Sequence, residues 1–369
     1  MTSILKPNFH FTSILLIFST FLCSCKGQEP DKPIAEASTF TVKKILADSI
    51  SLLADSLPEF RTSPNSKEYE GNQISGVIRT VFQDSQKNYW FGTQDGLCRY
   101  DGYNLVYFDI KASNGQSIVV HAIVEDKSGH IWIGYGGGIA KYDGTYFTNY
   151  YEKNILVNSG LWSMALDKNG LLWIGTIYGV YTFDGNAFEP FEIPEGKVDL
   201  RKGVSTSKMI HCIMEDSKGT MWFATNGGAY SYDGKTLTNF SEKEGLYSNF
   251  VNTIIEDKNG HYWFATGSGL SRYDGISFTN ITENLEHKKG IEHVLEDTNG
   301  NIWFAVQDLG IYKYDGKNFT NYHTDQGLQS HATFEIYEDL QDRLWFVGFK
   351  GAYRMDGNTF VNVTRNGPW

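Results

Sequence analysis

The chain is short of cysteine, of basic charge and of long apolar runs, and each shortage excludes something. It has 4 cysteines in 369 residues. Cys98 and Cys212 stand in different parts of the sequence pattern, and no C-x-x-C spacing occurs. Neither a disulfide framework nor a zinc site is therefore expected, and both read as buried structural thiols. Lys and Arg number 32 against 43 Asp and Glu, a net charge of −11. Nucleic-acid binding needs a basic face to displace counterions, and this balance argues against it. The apolar run Phe11–Phe21 is too short to span a bilayer, and no second apolar span follows it. No G-x-S-x-G or H-E-x-x-H motif is present, so no compact catalytic signature points to an enzyme.

What the chain does have is tryptophan at regular intervals. Trp90, Trp132, Trp173, Trp222, Trp263, Trp303 and Trp345 are separated by 42, 41, 49, 41, 40 and 42 residues. Each follows an aspartate by six residues (Asp84, Asp126, Asp167, Asp216, Asp257, Asp297, Asp339) and precedes an Asp-Gly pair by 11 or 12. Fourteen of the 43 acidic residues are these turn aspartates, so much of the charge has a structural origin. A repeat of this length with short strands and fixed turns is the signature of a β-propeller.

One copy decodes the unit. Val251–Glu256 is an apolar run expected as a buried strand. Asp257-Lys258-Asn259-Gly260 has the residues of a type I turn. His261–Thr266, Leu270–Tyr273 and Phe278–Ile281 follow as three further strands, with Asp274-Gly275 read as a two-residue hairpin turn. Four strands per unit and seven units predict an all-β, seven-bladed propeller of four-stranded antiparallel blades over residues 74–369. A lone four-stranded sheet leaves a face uncovered; seven around an axis cover one another, with the tryptophans between blades and the tyrosines before Asp-Gly packed with one wet end. Ring closure is left between termini that simply meet and a closing strand from Ile74–Gly76.

The N-terminus reads as a targeting segment. Lys6 and the run Phe11–Phe21 precede Leu22-Cys23-Ser24-Cys25, which resembles the lipobox of bacterial lipoproteins. The resemblance implies cleavage after Ser24, a signal peptide over 1–24, lipidation of Cys25 and lasting membrane anchorage. Lys26 leans towards the outer membrane, facing periplasm or cell surface. Residues 25–73 read as a tether, with a short helix over 40–57 from the spacing of Val42, Ile45, Leu46, Ile50, Leu53 and Leu57.

The unit E-D-x-x-G-x-x-W-[IF]-[GA]-T-x-x-G-[LIA]-x-x-Y-D-G-x-x-F-T-N-Y resembles the two-component-regulator propeller repeat. Ile123–Tyr150 and Ile254–Ile281 match it nearly throughout. Gln83, Leu166 and Asp342 depart from it. The resemblance implies a propeller of the kind found in the periplasmic half of Bacteroidetes hybrid sensor kinases, which sense polysaccharide fragments and continue into a β-sandwich, a membrane span and a kinase. This chain runs to Trp369 without a kinase or receiver sequence. What carries over is the fold and a ligand or partner surface, expected on a stand-alone lipoprotein.

Function tends to sit in loops on a rigid scaffold. The strand order puts the turns after the second and fourth strands at the mouth of the central channel. Five residues before each turn aspartate stand Arg79, His121, Trp162, His211, Asn252, Glu292 and Phe334. These differ from blade to blade and can ionise, hydrogen-bond or stack, so they form the candidate ligand ring. The next position holds Thr80, Ala122, Ser163, Cys212, Thr253, His293 and Glu335, and Glu335 joins the candidate site. Tyr178 joins it from the loop after a second strand, where Asp95, Asn226, Asp308 and Lys350 also stand. No metal or other cofactor is expected, since three histidines on alternate blades are far from a tripod.

The 49-residue gap puts about eight extra residues into the loop from Phe191 to Lys208, with Lys197, Arg201, Lys202 and Lys208. A lid, a contact for an acidic partner and a tolerated insertion all fit it. Three functions remain open. The first is a lipid-anchored, sensor-like module binding an oligosaccharide or an envelope protein. The second is a lyase resembling the seven-bladed streptogramin lyases, using His121 or His211 with Glu292 or Glu335. The third is a structural envelope scaffold. The first is the expectation, without enzymatic activity.

Overall fold

The computed structural model describes residues 36–40, 44–46, 71–151, 160–198, 206–285 and 290–369. Seven consecutive antiparallel sheets form the seven blades of a propeller. In each, four strands follow in chain order from the axis outwards, as in Val251–Glu256, Tyr262–Thr266, Gly269–Tyr273 and Phe278–Asn280. The second strands are buried along their whole length, because blades cover both of their faces.

The six-residue interval between aspartate and tryptophan is a hydrogen bond. In every blade the indole Nε1 donates to Oδ2 of the turn aspartate, at 2.7 to 3.2 Å. The other carboxylate oxygen accepts the backbone N–H groups two and four residues on, as at Asp257. The indole fills the joint to the next blade: Trp263 packs with Ile291, Val294 and Phe304. The glutamate before the aspartate makes a second joint. Glu125, Glu215, Glu256, Glu296 and Glu338 each accept a turn N–H of the preceding blade, at 2.6 to 2.9 Å. Gln83 does the same for Leu340 across the ring closure. Leu166 cannot, and it packs instead against the apolar cluster between blades 2 and 3.

Small residues in the second strand let the blades approach. A Cβ on Gly92 would lie 2.7 Å from Val120 of the next blade. Threonine closes the following turn: Thr93, Thr176, Thr225 and Thr266 each donate to the carbonyl three residues on. In six blades the Asp-Gly turns differ from expectation, while in blade 7 Asp356 pairs directly with Thr359 across a two-residue loop. Tyr273 pairs directly with Phe278, so the loop has four residues, and only Gly275 takes positive φ. The Asp274 carboxylate ties it by accepting from Ile276 and Ser277 N–H, and the Tyr273 hydroxyl donates to Gly275 O. A side chain that satisfies two backbone donors favours the longer loop over a type I′ turn.

Ring closure follows the first of the two alternatives. Blade 7 is built from its own four strands, Thr333–Glu338 to Thr359–Val363. Residues 71–77 join it at two single bridges, Gln73 to Thr364 and Val77 to Phe349, and through hydrogen bonds such as Lys350 N–H to Gly76 O and Arg365 N–H to Asn72 O. Trp345 and Val347 pack with Ile78, Val81 and Phe91 of blade 1. Trp369 stacks on Tyr100 at 3.9 Å.

Upstream, Glu36–Phe40 pairs with the outer strand of blade 2, and Lys44–Leu46 with that of blade 1. The helix expected over 40–57 is thus corrected at Lys44–Leu46, where the backbone is extended. An open outer edge offers unpaired N–H and C=O groups, which outweigh a helical spacing of apolar residues in a Thr- and Val-bearing segment. The rest of that stretch, the signal peptide and Cys25 lie outside the described residues.

Candidate functional site

The turns after the second strands meet the entries to the first strands on one face. Gln94 N–H donates to Val77 O, Ile177 N–H to Gly160 O and Gly267 N–H to Phe250 O, at 2.7 to 3.3 Å. Just inside this face every first strand carries a bulge. The pairing between first and second strands skips one residue in all seven blades. The skipped residues are Arg79, His121, Trp162, His211, Asn252, Glu292 and Phe334. A bulge leaves its residue without a cross-strand partner and re-aims its side chain. That is why this position varies while the residue before it is aliphatic in six of the seven blades.

All seven bulge residues line one cavity of about 490 Å³. Its wall also includes Thr80, Ser163, Cys212, Thr253, His293 and Glu335 from the next position. The volume lies within the range of small-ligand pockets. Tyr178 is not on the wall; it is 59% exposed on its turn. Asp95, Asn226, Asp308 and Lys350 are not on the wall either. The second and third strands stand farther from the axis than the first, so the turn joining them lies back from the cavity. Phe250 lines the cavity and packs at a tilt against His211 at 5.0 Å, a contact not expected from the sequence. The available signal was an aromatic one residue before the first strand.

The ring is stacked on one side. The Arg79 guanidinium lies 5.6 Å from the Phe334 ring and 6.0 Å from the Trp162 ring. His121 packs on Trp162 at 4.9 Å. Burial and the neighbouring Arg79 charge push the His121 pKa down to about 4, so it is neutral at pH 7. Burial likewise lowers His211, and it lowers His293 to about 4. Burial also lowers the Arg79 pKa.

Beneath the ring, residues of the next position tie adjacent blades together. Ser163 Oγ donates to Ile210 O at 3.2 Å, and Thr253 Oγ1 to Glu292 O at 3.0 Å. Ile336 N–H donates to His293 Nδ1, and Val81 N–H to Glu335 Oε2 at 3.0 Å. Burial raises the Glu335 pKa to about 7, against the opposing pull of Thr80 and Val81. The Cys212 thiol is pushed up to about 11 by burial and is a weak nucleophile. Among the described residues no three His, Cys, Asp or Glu side chains gather as a metal-holding group.

The insertion reaches this rim. Asn226, on the turn of blade 4, contacts His211 Nε2 at 2.7 Å and donates to Thr206 O at 3.0 Å. Asn249 donates to Lys197 O, and Gly196 lies against Gly227 so closely that a Cβ would strike its carbonyl. Lys197 and Lys208 are described; Arg201 and Lys202 lie outside the described residues.

Five stretches, residues 72–95, 114–137, 155–178, 205–227 and 248–268, match the two component regulator propeller repeat. Five of the seven blades thus carry two component regulator propeller repeats. Each match runs from the entry of a first strand through the turn after the second, so it contains the bulge residue of its blade. The extracellular domain of a hybrid two component system from B. thetaiotaomicron is 25% identical, with a TM-score of 0.64. That alignment covers 79% of this chain and 40% of that one, so this chain spans under half of that domain. Virginiamycin B lyase from Staphylococcus aureus, solved with quinupristin, has a TM-score of 0.62 at 11% identity, covering 86% of this chain and 97% of that one. A surface component of the type-IX secretion system of Porphyromonas gingivalis has a TM-score of 0.58 at 13% identity, covering 78% and 47%. These last two share the fold alone. Among curated proteins, none matches the chain in sequence. No helix among the described residues is long and apolar enough to cross a membrane.

Proposed function

We propose that this propeller is a sensor-like binding module of the cell envelope, and that the channel mouth is its recognition site. The observation that carries this is the bulge ring: seven side chains of differing chemistry, each set out of the strand register by a bulge, converge on one small-ligand cavity. A spacer or scaffold would leave that ring undistinguished. The likeness to an extracellular sensor domain supports the cellular address. We further propose anchorage through lipidated Cys25, with the outer membrane as its site; radiolabelled palmitate incorporated by the wild type and not by Cys25→Ser tests it.

Binding is favoured over catalysis. His121 and His293 are held neutral with pKa values near 4, far from the poise of a base working at neutral pH. His211 is engaged with Asn226. The ligand class is an oligosaccharide or another small polar molecule. Thermal-shift screening of the full chain against an oligosaccharide panel, with and without divalent cations, tests the reading. A ligand that binds only the folded state raises the melting point by mass action. A ligand-specific shift lost in Trp162→Ala supports it. A metal-dependent shift lost in His211→Ala favours the lyase, and silence throughout favours the scaffold.

A further inference from the structure

We propose that the ligand of the channel mouth carries a carboxylate, and that Arg79 receives it between Trp162 and Phe334. This rests on the reading of the channel mouth as a binding site. Among the described residues Arg79 is the one Lys or Arg on the cavity wall. Its Nε is buried and has no hydrogen-bond acceptor. Arg99, Arg272 and Arg354 also hold a buried, unpartnered nitrogen, but each lies over a blade tryptophan away from the cavity. Arg79 lines the cavity instead, with two aromatic rings within 6.0 Å of its guanidinium.

A buried guanidinium N–H without an acceptor is costly, and an anion that completes the group is held strongly. The neighbouring His121 is neutral and adds no competing charge. The anion fits best as a single carboxylate. A guanidinium matches a planar carboxylate with two parallel hydrogen bonds. A phosphate dianion would find one cation here and two glutamates, Glu292 and Glu335, on the same wall. Trp162 beside Arg79 is 38% exposed and offers the body of the ligand an apolar surface. A sugar acid and an aromatic acid share this chemistry.

Calorimetric titration of the full chain with matched pairs decides: glucuronate against glucose, and benzoate against benzyl alcohol. At least one acid is expected to bind, its neutral counterpart more weakly by roughly 10-fold or more. Which pair responds tells a sugar from an aromatic scaffold. Arg79→Gln, confirmed folded by an unchanged cooperative melt, is expected to lose the preference for the acid. Arg79→Lys is expected to keep part of it. Equal binding of acid and neutral partners, or a preference that survives Arg79→Gln, overturns the assignment. Heat from neutral sugars, lost in Trp162→Ala but not in Arg79→Gln, overturns the carboxylate and leaves the binding site standing. No binding by any acid also overturns the carboxylate.

Discussion

Replacing Glu335 by glutamine changes how stability depends on pH, and the direction follows from its place at the axis. The carboxyl is buried, accepts Val81 N–H at 3.0 Å, and has its pKa raised from 4.5 to about 7. Between these values the folded chain keeps a proton that the unfolded chain has lost. Stability therefore falls as pH rises through that window and is level above it. At about 1.4 kcal/mol per unit, a dry site would lose roughly 3 kcal/mol; water in the adjoining cavity reduces this to about 1–3 kcal/mol. Glu335→Gln keeps an oxygen for Val81 and cannot ionise. His121 and His293 act oppositely: their pKa values are depressed, so they lower stability as pH falls from 6.5 towards about 4. The readout is accordingly the difference between variant and wild type in urea unfolding, which cancels the histidines. The variant is expected to gain about 1–3 kcal/mol on the wild type between about pH 5 and about pH 8. Parallel pH profiles, differing by less than about 0.5 kcal/mol across that range, would refute the burial of an ionisable group at this position.

Three further outcomes follow from the blade joints, each read by denaturant unfolding. Trp263→Phe removes the donor to Asp257 Oδ2 and is expected to cost about 2–4 kcal/mol; a cost under about 1 would mean that the clasp is dispensable. Glu256→Leu copies the natural Leu166 and strips Ser217 of its backbone and hydroxyl acceptor, for a loss of about 1–2 kcal/mol. Lys87 and Asp342 hold φ of 69° and 59° where five other blades have glycine; Lys87→Gly with Asp342→Gly is expected to leave stability unchanged or raise it by up to about 1 kcal/mol.

Blade number, strand order and the channel ring were legible because one constraint repeats. A buried indole needs an acceptor, the turn aspartate supplies it, and the pair recurs in every unit. The variable ring stood out because its residues do not repeat. Its cause, a bulge in each first strand, was not legible: a shift shared by all seven copies leaves the period unchanged. The Asp-Gly turn was misread because an Asx carboxylate tying two N–H groups lengthens a loop that composition alone suggests is tight. Lys87 was passed over although it stands at a glycine position, since its strain is a backbone property. Tyr178 was placed at the site by strand order, which gives the face of a turn but not its distance from the axis. The clasp from Asn226 to His211 and the insertion joins side chains far apart in sequence, and no local pattern carries it.

The most direct test of the channel mouth as a recognition site is a crystal structure of the chain with its best-binding small molecule. The account predicts ordered ligand density within the bulge ring, touching Arg79 and Trp162. Ligand ordered on the outer edge of a blade, with only solvent in the cavity, would contradict it.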